Sequence, residues 1–245
     1  MQKEFAIDIG TNSIRLLYAV WENGKLKTVQ KLVNTVRTGE GVNASGVLCE
    51  AAILRTLEGI SGFLKTAKAW GAEQVPAFAT SAVRDASNGE AFVRRVWQEL
   101  GVRVQILQGK QEALCGITGA LCAKTEGGIL DIGGGSTEVA VLRKGVLECA
   151  ESVNVGCVRG LELFCEDEYE KVISWAQERF ERLKLKDLPE IYAIGGTATA
   201  LAAIDLGLER YDPDLVDGHE MSAQRLEVLM GQIHDLPKEE TIKRM

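Results

Sequence analysis

The chain has 245 residues, 46% of them hydrophobic and 26% charged, which suits an ordinary globular protein of one large or two modest domains. Its net charge of −7 argues against a nonspecific nucleic-acid binder, which would show a broad basic surface. Six cysteines (Cys49, Cys115, Cys122, Cys149, Cys157, Cys165) form no C-x-x-C pair and no zinc spacing, so they read as buried, reduced thiols of a cytoplasmic protein. Met1 leads directly into charged residues and a strand, and no run approaches the roughly 18 apolar residues needed to cross a bilayer.

A strand ending at Ile9 enters the turn Gly10-Thr11-Asn12-Ser13. Ile14 to Val20 and Leu26 to Leu32 then read as antiparallel strands joined at Glu22-Asn23-Gly24-Lys25. Thr38-Gly39-Glu40-Gly41-Val42 reads as a flexible loop. A helix follows from about Leu48 to Trp70, with Ile53, Leu57, Ile60 and Leu64 at helical spacing. Val75 to Ala79 is a short buried strand that ends in Thr80-Ser81-Ala82-Val83-Arg84-Asp85. A helix from Asn88 to Leu100 and a strand from Val102 to Leu107 lead to Gly109-Lys110-Gln111-Glu112-Ala113, which opens a helix through Cys122.

The second half repeats the order of strand, Gly-rich turn, strand (Val139 to Leu142) and strand (Val146 to Ala150). Val155 to Gly160 forms a loop into a helix. A charged amphipathic helix spans about Glu168 to Leu183, and Ile191 to Ile194 is a strand before Gly195-Gly196-Thr197-Ala198-Thr199. This alternation predicts an α/β architecture. The polar turn Lys124-Thr125-Glu126-Gly127 marks the boundary between domains 1–124 and 125–245.

The chemistry concentrates in Asp131-Ile132-Gly133-Gly134-Gly135-Ser136-Thr137-Glu138. Glycines let a backbone turn sharply and bring its N–H groups up to an anion. The flanking carboxylates could hold a hard cation such as Mg²⁺ together with phosphate oxygens. Alone, the stretch could equally be a tight hairpin turn with solvated acids. A second copy changes that: when Phe5 to Val20 is laid over Gly128 to Arg143, Asp8 falls on Asp131, Gly10 on Gly133 and Ser13 on Ser136. Such a repeat indicates two related halves, and the two turns would form a two-jawed phosphate clamp in the cleft between them. Asp8, Asp131 and Glu138 are the candidate metal-side acids.

Glu112 lies in the first turn of its helix, where an acid facing the helix dipole is commonplace. A catalytic role would require it to project into the cleft and take a proton from an attacking water. Arg84 could fork onto phosphate oxygens or pair with Asp85. The excess of Arg84, Arg94, Arg95, Arg103 and Lys110 over Asp85, Glu90 and Glu99 would supply local attraction for a polyanion. It could also be a solvated helix face. Gly195-Gly196-Thr197 could bind an anion at a helix start or serve close packing. His219 and His234 read as isolated surface or capping residues.

Together these segments resemble the exopolyphosphatase/guanosine pentaphosphate phosphohydrolase (Ppx/GppA) family. The matching pieces, in the family's order, are Asp8 to Ser13, Ala79 to Arg84, Gly109 to Ala113, Asp131 to Glu138 and Gly195 to Thr197. The resemblance implies two duplicated ribonuclease H-like (actin-like ATPase) domains with an interdomain cleft. It also implies Mg²⁺-dependent hydrolysis of the terminal phosphoanhydride of inorganic polyphosphate, or of the 5′-phosphate of pppGpp in the stringent response. On that resemblance Glu112 matches the catalytic glutamate, and Asp131 and Glu138 the acids that position Mg²⁺ and water. Asp8 with Gly10, Thr11, Asn12 and Ser13 matches the first phosphate loop. Gly133, Gly134, Gly135 and Ser136 match the second, with Arg84 as the substrate-phosphate arginine. Gly196 and Thr197 complete the expected substrate contacts, and the partners are polyphosphate or guanosine penta/tetraphosphate rather than nucleic acid or membrane. The oligomeric state stays open, although dimers are common in the resembled family.

Two departures from the family pattern stand out. Gln111 replaces the first glutamate of the usual pair. Members usually continue past the Leu226 to Leu236 helix into an R-A-D-containing segment, whereas this sequence stops at Arg244-Met245, so the second domain is expected to be incomplete. An ATP-dependent phosphotransferase or ATPase of the same superfamily, and a non-catalytic polyphosphate or guanosine tetraphosphate sensor, are the alternative readings.

Overall fold

In the computed structural model, which describes residues 2–122, 124–164 and 168–235, the chain opens with a three-stranded antiparallel meander. Its strands are β1 (Lys3–Ile9), β2 (Ile14–Glu22) and β3 (Lys25–Asn34). Asn23 and Gly24 take φ of 51° and 75° at the β2–β3 tip, the left-handed conformation that a tight two-residue hairpin turn requires. Next come α1 (Val42–Ser45), α2 (Glu50–Ala69), β4 (Ala77–Ala79), α3 (Ser81–Asp85), α4 (Gly89–Leu100) and β5 (Val104–Ile106). The sheet order is β3-β2-β1-β4-β5, with β4 parallel to both β1 and β5.

Period-2 alternation buries Ile7, Ile9, Ile14 and Leu16, while α2 contributes Ile53, Leu57, Ile60 and Phe63 and α4 contributes Phe92 and Val96 to one core. Each such side chain, fully buried, stabilises the fold by about 1.5–3 kcal/mol. The practical result is a rigid β1, whose C-terminal end holds Asp8.

The second sheet repeats the meander with β6 (Gly127–Ile132), β7 (Thr137–Arg143) and β8 (Val146–Val153). β9 (Ile191–Ile194) lies beside β6, giving the order β8-β7-β6-β9. The helix α5 (Gly109–Leu121) packs against β6, β7 and β8, so the helix that carries Glu112 leans on the sheet that carries Asp131 and Glu138. Between β8 and β9 run α6 (Cys157–Leu163) and α7 (Tyr169–Glu181). This is an α/β protein with the same strand–turn–strand opening in each sheet.

The chain falls into two compact units, Met1–Tyr192 and Ala193–Met245. The described part of the second contains α8 (Gly195–Asp205), α9 (Pro213–Val216) and α10 (Ala223–Asp235). Asp205 accepts from Arg225 Nε at 2.5 Å and lies 2.8 Å from His219 Nε2. No helix among the described residues is long and apolar enough to cross a membrane.

Several local expectations need correction. The 38–42 stretch is not a free loop: Thr38 is fully buried against Thr56, 3.1 Å between hydroxyls, and Val42 begins α1. The 80–85 stretch turns into α3 directly after β4. Cys49, Cys115, Cys122 and Cys157 are exposed and Cys149 half-buried, all as free thiols. On α5 the buried stripe is Ala113, Ile117 and Leu121, which leaves Cys115 on the outer face. His219 is not isolated, because Asp205 holds it. Cys165, Leu236 and Arg244-Met245 lie outside the described residues.

Candidate active site

Both Gly-rich turns close in the same way. Gly10 N–H donates to Ser13 O at 3.1 Å and Gly133 N–H to Ser136 O at 2.9 Å. Among the described residues, the N–H groups of Thr11, Asn12 and Ser13, and of Gly134, Gly135 and Ser136, have no protein acceptor. Clusters of such free N–H groups in a tight turn suit an anion.

The turns meet tip to tip. A Cβ on Gly135 would stand 2.4 Å from Ser81 Oγ and 2.8 Å from Thr11 Oγ1, so only glycine permits this approach. Ser81 Oγ is buried without a hydrogen-bond partner, an orphaned polar atom next to the second turn.

Arg159, in the first turns of α6, fastens this junction. Its Nε donates to Gly135 O at 2.6 Å, Nη1 to Asn43 Oδ1 at 2.6 Å and Nη2 to Asp85 Oδ2 at 2.5 Å. The sequence alone does not single it out. Its only sequence signal is a cation placed soon after the second meander, and its three partners are distant in the chain.

The acids gather on the other side of the tips. Asp8 ends β1 and pairs with Arg15 of β2 at 3.0 Å. Asp131 lies opposite Glu138 in the β6–β7 register. Glu138 is 2% exposed and accepts from Ser152 Oγ at 2.6 Å. Glu112 accepts from Arg84 Nη1 at 2.8 Å, and the same nitrogen donates to Leu107 O at 2.9 Å. A Cβ on Gly109 would meet Ser152 Cβ at 2.3 Å, so the start of α5 is seated directly on the residue that orients Glu138.

The four acids sense one another. Burial first, then the Glu138 charge, push the Glu112 carboxyl up to about 7 against the opposing pull of Arg84. Glu138 is raised chiefly by burial, with Asp131 adding to it and Ser152 and Ser136 opposing. Asp131 is raised by burial and by Asp8, against Arg15, and Asp8 by burial, against Arg15. Four carboxylates face two guanidiniums, and every carboxylate resists ionisation. That imbalance is what a bound cation would relieve.

Among the described residues no three His, Cys, Asp or Glu side chains form a ready-made metal cage. Mg²⁺ does not need one, since it takes one or two carboxylates and completes its shell with waters and substrate phosphates. Gly196 and Thr197, expected as substrate contacts, open α8 in the second unit. The pairs brought together are thus Arg84 with Glu112 and Asp131 with Glu138, and Thr11 meets Gly134 and Gly135.

These paired acid-bearing turns on two matched meanders define a class of α/β protein, and comparison with known proteins narrows it. Residues 19–244 match the Ppx/GppA phosphatase family. The chain belongs to that family. It is 33% identical over 230 residues to Exopolyphosphatase 2 of Mycobacterium tuberculosis, covering 84% of this chain and 72% of that one. It is 30% identical over 244 residues to a bifunctional 3-dehydroquinate synthase/phosphatase of Fusobacterium nucleatum, covering 90% of this chain but only 37% of the relative. A guanosine-5′-triphosphate,3′-diphosphate pyrophosphatase of Photobacterium profundum is 32% identical over 169 residues, of which this chain spans 34%. Among solved structures, the Aquifex aeolicus PPX-GPPA enzyme superposes with a TM-score of 0.80 at 29% identity, covering 100% of this chain and 84% of that one. An exopolyphosphatase-like protein superposes with a TM-score of 0.90 at 25% identity, covering 99% and 80%.

Proposed function

We propose that this protein is an exophosphatase that hydrolyses the terminal phosphoanhydride of inorganic polyphosphate, with the 5′-phosphate of pppGpp as the related substrate. The observation that carries the reading is Glu112, a carboxyl pushed up to about 7 by burial and by the charges of Glu138 and Asp8, and hydrogen-bonded to the Arg84 guanidinium. A general base works best when its pKa lies near the working pH. In the resting site Arg84 shares its charge with Glu112. When a terminal phosphate arrives, Arg84 turns its donors to the phosphoryl oxygens, as guanidinium geometry favours. Glu112, losing that partner, becomes the stronger base and takes a proton from a water aligned with the end phosphorus. The free N–H groups of the two turns hold the remaining phosphate oxygens.

Asp8, Asp131 and Glu138 would hold Mg²⁺, one or two of them directly. The ion would offset phosphate charge in the transition state. The under-compensated acids support that fit. We also read the chain as two halves divided near 124/125, each supplying one turn.

The test is phosphate release from tripolyphosphate, long-chain polyphosphate, pppGpp and ATP, with and without Mg²⁺, across pH. The expected result is Mg²⁺-dependent release from polyphosphate or pppGpp, with kcat/KM rising through an apparent pKa near 7. Absence of release from both substrates, or ATP-dependent phosphorylation of an acceptor instead, would sink the reading.

A further inference from the structure

The free N–H groups of the two turns are aimed from behind. In a trans peptide the carbonyl of one residue and the N–H of the next share a plane and point opposite ways. Whatever holds the carbonyl therefore also aims the N–H. Thr11 O accepts from Gly39 N–H at 2.9 Å and Asn12 O from Arg37 N–H at 2.8 Å, which aims the N–H groups of Asn12 and Ser13. In the second turn Gly133 O accepts from Cys157 N–H at 3.0 Å and Gly134 O from Val158 N–H at 2.9 Å. Gly135 O takes Arg159 Nε at 2.6 Å. The N–H groups of Gly134, Gly135 and Ser136 are thereby turned away from α6. The other carbonyls are held by backbone, and that of Gly135 by a side chain.

The same guanidinium reaches toward the proposed base. Its Nη2 donates to Asp85 Oδ2 at 2.5 Å, and the other oxygen of that carboxylate lies 3.8 Å from Arg84 Nε. Arg84 in turn donates through Nη1 to Glu112 at 2.8 Å. Alternating charges thus run from Arg159 through Asp85 and Arg84 to Glu112, with Arg84 held between two carboxylates. Arg159, Asp85 and Arg84 are at most 25% exposed, so salt screens this row only in part. Arg159 is itself anchored: Nη1 donates to Asn43 Oδ1 at 2.6 Å, and Glu162 of the same helix accepts from Gly41 N–H at 2.9 Å. A lysine, a single compact charge, could not serve all three partners of this fork.

We propose that Arg159 and Asp85 are positioning residues for the reaction. Arg159 aims the Ser136 N–H at the substrate phosphate. Asp85, oriented by Arg159, holds Arg84 where it can turn from Glu112 to the phosphoryl oxygens. The inference rests on the phosphatase reading and adds the side chains that support its site. The two residues should fail differently. Asp85→Asn keeps an oxygen acceptor for Arg159 and leaves the turn in place, but removes the charge that holds Arg84. Arg159→Lys releases the Gly135 carbonyl as well.

The test compares kcat and KM for tripolyphosphate with Mg²⁺ in Arg159→Lys, Asp85→Asn, Arg84→Gln and the double variant Asp85→Asn/Arg84→Gln. The control is Arg143→Lys, which removes another multiply bonded guanidinium from the far end of β7. Thermal melting checks that each variant folds. Asp85→Asn should lower kcat about tenfold with KM within about twofold of wild type, and cost nothing further in the Arg84→Gln background. Arg159→Lys should raise KM and lower kcat together, by about 10²-fold in kcat/KM, the scale of a misplacement of about 1 Å. Arg143→Lys should match the wild type. An unchanged kcat in Asp85→Asn, an equal further loss in the Arg84→Gln background, or an unmoved KM in Arg159→Lys overturns the inference and leaves the phosphatase reading standing. Should Arg159→Lys not fold, the Asp85→Asn cycle decides alone. If the wild type releases no phosphate, the phosphatase reading fails by itself, and calorimetric binding of tripolyphosphate decides the positioning. Affinity lost in Arg159→Lys but kept in Arg143→Lys upholds it, and equal affinity in both overturns it.

Discussion

The two turn-bearing hairpins match position by position, and the instructive position is the one where they part. Each turn closes through a glycine N–H onto a serine carbonyl, and each places an acid at the end of its first strand. Opposite Asp8 the register places Arg15, whereas opposite Asp131 it places Glu138. The first hairpin therefore neutralises its own acid at 3.0 Å. The second sets two acids side by side, in a setting where burial already opposes their ionisation. On the proposed function, that difference leaves the first jaw, its acid already paired, inclined to phosphate oxygens and the second to Mg²⁺, with Glu112 hydrogen-bonded to Arg84.

The largest effect is expected at Glu112, the proposed base. Glu112→Gln keeps the shape and an acceptor for Arg84 but cannot take a proton, so kcat should fall by about 10²–10⁴-fold with KM little changed. The same variant has a stability signature of defined sign. The carboxyl titrates near 4.5 when unfolded and about 7 when folded, so between these values the folded state binds more protons. The wild type therefore loses stability as pH rises from 4.5 to 7. Glu112→Gln should abolish that loss, being more stable than wild type at pH 8 by at most about 3 kcal/mol and equal to it near pH 4. Urea unfolding at the two pH values measures this. A variant less stable at pH 8 would show that Arg84 needs the charge more than the site resents it.

Next in size is Glu138→Gln, which makes the second hairpin less unlike the first. Gln keeps the hydrogen bond from Ser152 and leaves no unpaired buried charge. The apparent Mg²⁺ affinity should fall about 10–100-fold, and phosphate release should recover at high Mg²⁺. A variant whose activity falls but whose Mg²⁺ dependence is unmoved would remove Glu138 from the cation jaw.

Much of this was legible in the sequence because it is local. The hairpins, their turns and the helix opening at Gly109 follow from apolar alternation, glycine placement and helical spacing, each within some twenty residues. Arg15 is legible too, since aligning the repeat sets it against Glu138, the position where the two copies differ in charge. The Arg84–Glu112 pair was not, because α3 and α5 meet only through the sheet order. Nor was Arg159, which joins Gly135, Asn43 and Asp85 across the fold. The exposed cysteines escaped for a simpler reason. Cysteine is often buried, but on α5 the stripe of Ala113, Ile117 and Leu121 had already taken the inward face.

The smallest effect is the sharpest test of the division between the jaws, because its sign opposes that of Glu138→Gln. Arg15 holds down both Asp8 and Asp131. Its own ion pair is more than one-third exposed on each side, so Arg15→Gln should cost no more than about 0.5–1 kcal/mol of stability. Removing its charge leaves the acids less compensated, and a cation should then bind several-fold more tightly, as Coulombic interaction at partly buried distances allows. Polyanion binding should weaken, because the first jaw has lost the guanidinium paired with Asp8. Calorimetric titration with Mg²⁺ in the absence of substrate separates the two effects. Tighter Mg²⁺ in Arg15→Gln and weaker Mg²⁺ in Glu138→Gln would fix the roles of the hairpins. If both variants weakened Mg²⁺, Arg15 would be holding Asp8 in place for the ion rather than competing with it, and the two jaws would form a single cation site.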